Sequence, residues 1–304
     1  MNQEPEIIVL DLEFSGNSQT IASYLIPHDS GAVLIECGPG STQKTLLRAL
    51  RDQGYQLEDI THLLLTHIHL DHAGAAGWLA RQGVPVYVHE IGAPHLLDPS
   101  RLLASAGRIY GDRMDELWGD FLPVPENKLT ALVDRDEIQV GGLTFTALDT
   151  PGHAYHHMAY LLGETCFSGD VGGVRIPTAE VRHLRVPMPP PEFHLPKWRE
   201  SIKRLISLPI SRIAPTHFGL YEDVDWHLQE VLRELSAAEE WMVKTLPQGL
   251  EPEELRQEFI HWAEDRSLKR GVDPAKLELF EKANPSGMSA DGIKRYWEKY
   301  GQGG

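Results

Sequence analysis

Short apolar runs alternate with amphipathic stretches through the first two thirds of the chain, and that rhythm predicts strands and helices in turn. Residues 7–14, Ile-Ile-Val-Leu-Asp-Leu-Glu-Phe, carry the first strand pattern, closed by the turn residues Ser15-Gly16-Asn17-Ser18. The runs at 21–26 and 32–37 read as a hairpin pair around Pro27-His28-Asp29-Ser30-Gly31. Ser41 stands where it can cap a helix reaching about residue 53, with Leu46, Leu47 and Leu50 on one face. A strand entering Leu63-Leu64-Leu65, a helix to about residue 82 and a strand at 85–89 continue the alternation. Gly141-Gly142 joins strands at 137–140 and 143–148, and further extended runs follow at 157–162 and 165–168. A helix over about 196–207 and a short strand at 212–214 complete an α/β pattern.

Two stretches break the rhythm. Gly92 to Pro125 is irregular and weakly helical, with Tyr110, Met114, Trp118 and Phe121 spread between Gly and Pro breaks. It reads either as a lid or pocket wall or as an insertion that packs its own aromatics. Gly172 to Pro196, with Pro187-Met188-Pro189-Pro190-Pro191, reads as a loop too stiff and too polar for a core. After Tyr221 the character changes, since 225–246, 252–266, 274–282 and 290–300 are all amphipathic at helical period. The expected organisation is a domain over 1–221 followed by a helical C-terminal region over 222–304.

Charge and composition narrow the function. Against 28 basic side chains stand 44 acidic ones, and the net charge of −16 would repel a phosphate backbone, so no nucleic-acid partner is expected. No apolar run of about 18 residues appears and the first residues lack the basic and apolar regions of a signal peptide, so the expectation is a cytoplasmic protein without a membrane partner. Cys37 and Cys166 are the only cysteines and read as reduced, buried, small apolar residues. The apolar faces of the C-terminal helices could serve a homodimer.

The densest chemistry is Thr66-His67-Ile68-His69-Leu70-Asp71-His72, three imidazoles and a carboxylate directly after an apolar run. On a helix His67 and His69 would point roughly 200° apart, so they can converge on one ion only from extended or loop backbone. The run before them supplies that backbone, and Ala73-Gly74-Ala75-Ala76 starts a helix beyond, placing the set at a strand's C-terminal end. Three further ligand-type residues each follow a strand-like run at a glycine-flanked turn: His153 in Thr150-Pro151-Gly152-His153, Asp170 in Ser168-Gly169-Asp170, and His217 in Thr216-His217-Phe218-Gly219. Turns at strand ends are where side chains from distant parts of a chain can meet.

On these residues the chain resembles the metallo-β-lactamase superfamily, whose His-x-His-x-Asp-His marker stands at His67 to His72, followed in order by Thr-Pro-Gly-His, Gly-Asp and a final His. The resemblance covers roughly residues 7–221. It implies an αββα sandwich with two divalent metal ions at one edge of its sheets. His67, His69 and His153 would hold one ion, Asp71, His72 and His217 the other, and Asp170 would bridge them. Imidazole and carboxylate without thiolate suit zinc, and also iron or manganese. The chemistry implied is attack by a metal-bridging hydroxide on the carbonyl of a small acyl substrate, with Asp71 orienting the hydroxide and passing its proton to the leaving group.

Within the superfamily, departures from each pattern are informative. An exported lactamase would bring a signal and often a Cys ligand. A processing nuclease would bring a basic surface, and a flavodiiron oxidoreductase a Glu where His69 stands. The glyoxalase II-like thioesterases match best in organisation, through their helical C-terminal region, although Gly169-Asp170-Val171-Gly172-Gly173 lacks the Gly-Cys-Gly-Arg segment usual there. Esters, thioesters and lactones therefore stay open as substrates, and an iron-dependent oxidoreductase resembling persulfide dioxygenases is the alternative. Arg175 is a candidate for a substrate carboxylate, Tyr221 for a substrate oxygen, and one of His156 and His157 for the pocket.

Overall fold

The structure is a computed structural model that describes residues 5–178 and 181–301. Among these residues, those up to Asp149 together with His156–Ser168 form one compact unit, and Thr150–Tyr155 with those from Gly169 onward form a second.

The first unit is built on a sheet of six strands that lie side by side in chain order: β1 (Ile8–Asp11), β2 (Ala22–His28), β3 (Gly31–Ile35), β4 (Ile60–Leu64), β5 (Val86–His89) and β6 (Leu129–Leu132). β1, β2 and β3 run antiparallel to one another, and β3 to β6 run parallel. Leu25, Leu34, Leu63 and Val86 are successive cross-strand partners, all fully buried, so one apolar row crosses four strands. α1 (Gln43–Asp52) lays Leu46 and Leu50 into the same core, as α3 (Ala76–Arg81) does with Leu79 and Ala80; the four-residue α2 (Leu70–Ala73) precedes it. Each buried leucine contributes about 1.5–3 kcal/mol by leaving water.

The expected cap at Ser41 does not form. Its hydroxyl donates to the Leu117 carbonyl at 2.6 Å, tying the start of α1 to the 92–125 insertion, and a 3-10 turn over Gly40–Thr42 opens the helix instead. That insertion is more helical than its breaks suggest: α4 (Ala93–Leu97), α5 (Ser100–Tyr110) and α6 (Met114–Trp118) bury Leu96, Ala106, Leu117 and Trp118 in the main core. β6, which follows it, carries only Leu132 fully buried and shows no clear strand pattern in the sequence.

β7 (Glu137–Val140), β8 (Leu143–Asp149), β9 (Met158–Leu162) and β10 (Thr165–Phe167) are consecutive antiparallel neighbours. Gly141 and Gly142, with φ of 54° and 79°, make the two-residue turn between the first pair that the sequence predicts. Cys37 and Cys166 are free and buried, and burial pushes both thiols up, as expected for apolar packing.

The second unit contains α7 (Leu195–Ile206), β11 (Arg212–Ala214), α8 (Val224–Thr245), α9 (Pro252–Lys269), α10 (Pro274–Ala283) and α11 (Ser286–Tyr300). No helix among the described residues is long and apolar enough to cross a membrane. The described residues of the 172–196 stretch are not the solvated loop its proline and charge suggest, while residues 179 and 180 lie outside the described residues. Val174 and Arg185 exchange two backbone hydrogen bonds, and Val174 and Ile176 form a core cluster with Val272, Phe280 and Ala283. Its charges enter because they are paired. Arg185 donates to Glu281 at 2.6 Å and through Nε and Nη2 to Ser267 Oγ.

Beside them His183 is 2 % exposed, with Nε2 3.0 Å from Ser267 Oγ, and burial followed by the charges of Arg185, Arg270 and Arg266 pushes it down to about 3. An unfolded chain takes up a proton near the ordinary pKa of about 6.5, which the folded chain refuses. Stability from this group is therefore complete above about pH 6.5 and falls as pH drops toward 3, with a slope of up to about 1.4 kcal/mol per pH unit. We expect His183→Gln to flatten the acid arm of a urea-midpoint profile between pH 6 and 4. An unchanged slope would show that His183 is not the residue responsible.

Candidate metal centre

In the first unit the backbone behaves as the ligand spacing requires. β4 ends at Leu64, His67 and His69 lie on non-helical backbone, and His69, with φ −60° and ψ 156°, is the residue from which α2 starts. Asp71 and His72 therefore project from a helical turn while His67 and His69 project from extended chain. Tyr160 donates its hydroxyl to the Leu65 carbonyl at 2.9 Å and the Met158 amide donates to the Thr66 carbonyl at 2.7 Å, pinning the segment to β9.

The imidazoles are gathered. His67 Nε2 lies 2.9 Å from His69 Nδ1, the His67 and His72 ring centroids are 3.9 Å apart, and Asp71 Oδ2 lies 3.5 Å from His72 Nε2. His67 and His72 are fully buried, whereas His69 and Asp71 are half-buried, so this side of the set faces outward. His156 and His157 are buried in the same unit, with ring centroids 6.0 and 5.1 Å from that of His67.

One carboxylate here was not anticipated. Glu36, fully buried at the end of β3 with φ 62°, places Oε1 3.2 Å from His72 Nδ1 and accepts a hydrogen bond from Thr66 Oγ1. An Nδ1–H held by a carboxylate fixes the tautomer and leaves Nε2 as the donor atom of His72, the arrangement outer partners of metal-ligating histidines provide. A charged residue inside the buried run Val33-Leu34-Ile35-Glu36-Cys37 is the sequence signal that could have found it, because lone buried acids are rare without a partner. Glu36→Gln, which keeps an acceptor but removes the charge, is expected to weaken zinc binding by about 10–100-fold, read by competitive zinc titration. Wild-type zinc affinity would show the carboxylate to be structural only.

The 92–125 insertion meets this site through Tyr110. Burial, with the Asp71 carboxylate facing it, pushes the Tyr110 phenol up, and its ring packs edge-on against Trp118 at 5.0 Å. Trp118 in turn stacks on Phe14 at 5.4 Å. The insertion thus packs its own aromatics and also places one of them beside a predicted site residue.

The second unit gathers the other three predicted residues. Asp170 lies between two imidazoles, with Oδ2 3.4 Å from His153 Nε2 and Oδ1 3.6 Å from His217 Nε2, and all three residues are buried. His153 Nδ1 is 2.9 Å from the Pro187 carbonyl, which can only accept, so Nδ1 carries a proton and Nε2 is the nitrogen turned toward the carboxylate. Two imidazole nitrogens gathered about one carboxylate in a buried site are a donor set that suits a divalent ion.

The turns carrying these groups are braced. Gly152, at φ 143°, lies so close to Trp198 that a Cβ would overlap its backbone, and the Trp198 indole donates to the Val171 carbonyl at 2.9 Å. His217 sits in a loop closed by two backbone hydrogen bonds between Ile213 and Tyr221. Arg175 and Tyr221 are committed to this bracing. Arg175 pairs with both oxygens of Asp223 at 2.7 and 2.8 Å, lies 3.7 Å over the Tyr221 ring, and donates to His227 Nδ1 at 3.1 Å. The Tyr221 hydroxyl donates to the Arg175 carbonyl at 2.8 Å. Burial pushes the Asp223 carboxyl up, but Arg175 and Arg182 outweigh it and hold the group below the usual range. Arg175 is paired with the Asp223 carboxylate and Tyr221 with a backbone acceptor, so both brace the turn that carries His217.

Comparisons with known proteins agree with this chemistry. The family model described as the metallo-beta-lactamase superfamily matches residues 19–217, well over half of the chain. The metallo-beta-lactamase fold-containing protein ST1585 of Sulfurisphaera tokodaii is 27 % identical over 207 residues, covering 67 % of this chain and 77 % of that one. The solved structure of ST1585 superposes with a TM-score of 0.66 at 20 % identity, over 95 % of this chain and 98 % of the other, a likeness of fold. An atrochrysone carboxyl ACP thioesterase of Aspergillus fumigatus is 27 % identical over 74 % of this chain, and a hydroxyacylglutathione hydrolase of Aeromonas salmonicida is 29 % identical over 49 %. The chain spans under half the length of each of these two enzymes, 44 % and 48 %. By the family match and by its fold, the chain belongs to the metallo-β-lactamase superfamily of metal-dependent hydrolases.

Proposed function

We propose that the chain hydrolyses an ester, thioester or lactone carbonyl with water activated by two divalent ions, zinc being the first candidate. Seven side chains would hold them: His67, His69 and His153 one ion, Asp71, His72 and His217 the other, and Asp170 both. The observation that carries this reading is Asp170 set between the Nε2 atoms of His153 and His217 while the other nitrogen of His153 is committed to a carbonyl. Two such ions would lower the pKa of a shared water toward about 7 and polarise the carbonyl under attack.

The rest is done by the chain. Glu36 and Pro187 fix the tautomers of His72 and His153, so donor nitrogens are set before any ion arrives and little reorganisation is needed. Asp71, half-buried where its neighbours are buried, is placed to take a proton from the attacking water and pass it to the leaving oxygen or sulfur. The named relatives support acyl chemistry, since one is called a carboxyl ACP thioesterase and the other a hydroxyacylglutathione hydrolase. The matched range, 19–217, supports dividing the chain into a catalytic region over 1–221 and a helical region after it.

The test is a panel of aryl esters, acyl-thioesters and lactones assayed before and after chelation. Turnover of at least one class that is lost to chelator and restored by zinc is expected. Chelator-insensitive activity, or none across the panel, would contradict the reading.

A further inference from the structure

The C-terminal helix α11 has no role in the chemistry proposed above, yet it reaches the turn that carries His153 by three routes within the second unit. The first runs through the 187–189 segment. Pro187 supplies the carbonyl that accepts from His153 Nδ1, and the next residue, Met188, donates its amide to Ser289 Oγ on α11 at 3.1 Å. One turn along, Gly292 leaves its backbone against the same segment: a Cβ there would overlap the Met188 carbonyl oxygen and come within 2.7 Å of the Pro189 carbonyl carbon. Ser289 and Gly292 are both buried, and neither position can grow without moving the chain that orients His153.

The second route runs through His194. Its amide donates to the Gly152 carbonyl at 2.8 Å, immediately before His153, and its ring lies 5.8 and 4.9 Å from those of Tyr296 and Tyr300 on α11. The third is direct, with the Tyr155 and Tyr300 hydroxyls 3.1 Å apart. The helix therefore contacts Tyr155 directly, and reaches Gly152 through His194 and the Pro187 carbonyl through Met188.

We infer that α11 is a positioning element of the metal centre, and that Ser289 and Gly292 set the orientation of His153 through Met188 and Pro187. A methyl at residue 292 displaces the Met188 carbonyl, the Pro187 carbonyl moves with it, and the Nδ1 hydrogen bond that aims Nε2 is lost. Outer partners of ligating histidines are commonly worth about 10–100-fold in metal affinity. The effect should fall on the ion that His153 binds and spare the other. The inference rests on the two-ion reading.

The experiment compares full-length wild type, Gly292→Ala, Ser289→Ala and, as a control on the exposed side of the same helix, Lys294→Ala. Each chain is stripped by chelator, checked by far-UV circular dichroism, and titrated with zinc against a competing chelator and with cobalt followed by its visible spectrum. Gly292→Ala should weaken one of the two ions by about 10–100-fold and alter the cobalt spectrum of that site alone, Ser289→Ala should do the same to a smaller degree, and Lys294→Ala should match wild type. If Gly292→Ala fails to fold, Ser289→Ala, which adds no bulk, carries the comparison. The inference is overturned if the folded variants bind both ions as wild type does, or weaken both equally in step with a lower melting temperature. A wild type that binds no ion overturns the metal reading itself.

Discussion

Asp170→Asn is expected to leave the chain folded, to cost it at least one of the two ions proposed to bind, and to slow the proposed hydrolysis by on the order of 10²–10³-fold or more. The carboxylate lies 3.4 Å from His153 Nε2 and 3.6 Å from His217 Nε2, and all three residues are buried. An amide has the same shape but offers one oxygen and an N–H₂ that can donate to a ring nitrogen. The amide keeps the shape of the carboxylate and can still hydrogen-bond to the two imidazoles, so the metal-free variant should melt close to metal-free wild type. Added zinc should raise the wild-type melting temperature by more than that of the variant, since binding to the native state stabilises it in proportion to affinity. If the residue were merely structural, the metal-free variant would melt lower and zinc would shift both proteins alike.

Asp71→Asn is expected to lower kcat by about 10²–10⁴-fold, the range for removal of a general base, with a much smaller change in KM. Asp71 is the one half-buried carboxylate of the predicted set, 3.5 Å from His72 Nε2 and facing the Tyr110 phenol. An asparagine there can still approach an ion through its amide oxygen but can neither take up nor deliver a proton. The check is steady-state kinetics on the preferred substrate of the panel together with metal content. A variant that keeps both ions and full turnover would remove Asp71 from the proton path.

Much of this site could be read from the sequence because its chemistry is local where it is densest. His67 to His72 lie on one contiguous stretch, and the geometry of extended chain followed by a helical turn is implied by Leu63-Leu64-Leu65 before them and the small residues after. His153, Asp170 and His217 announced themselves by glycine-flanked turns after strand-like runs, and the order of the motifs named the family. The strands were legible for the same reason, since rows such as Leu25, Leu34, Leu63 and Val86 leave runs of apolar residues that no loop needs.

What escaped reading depends on partners remote in sequence. Glu36 looks like an interruption in a strand until His72 and Thr66 are seen beside it, 36 and 30 residues away. Arg175 and Tyr221, two polar residues near ligands, looked available for substrate and are instead bound to Asp223 and to backbone. The stretch around Arg185 looked solvated because its charge was visible and its partners, Ser267 and Glu281, were 82 and 96 residues further on. The helix at the C-terminus was legible as a helix, while its contact with Met188 depends on a serine and a glycine whose spacing carries no signal by itself.

Elemental analysis of the purified full chain, run beside an oxygen electrode and the hydrolysis panel, distinguishes a proposed two-ion hydrolytic centre from a single-iron oxidoreductase. Two divalent ions per chain, predominantly zinc, with metal-dependent hydrolysis and no oxygen uptake, is the result predicted. A single iron per chain with substrate-dependent oxygen uptake would contradict it.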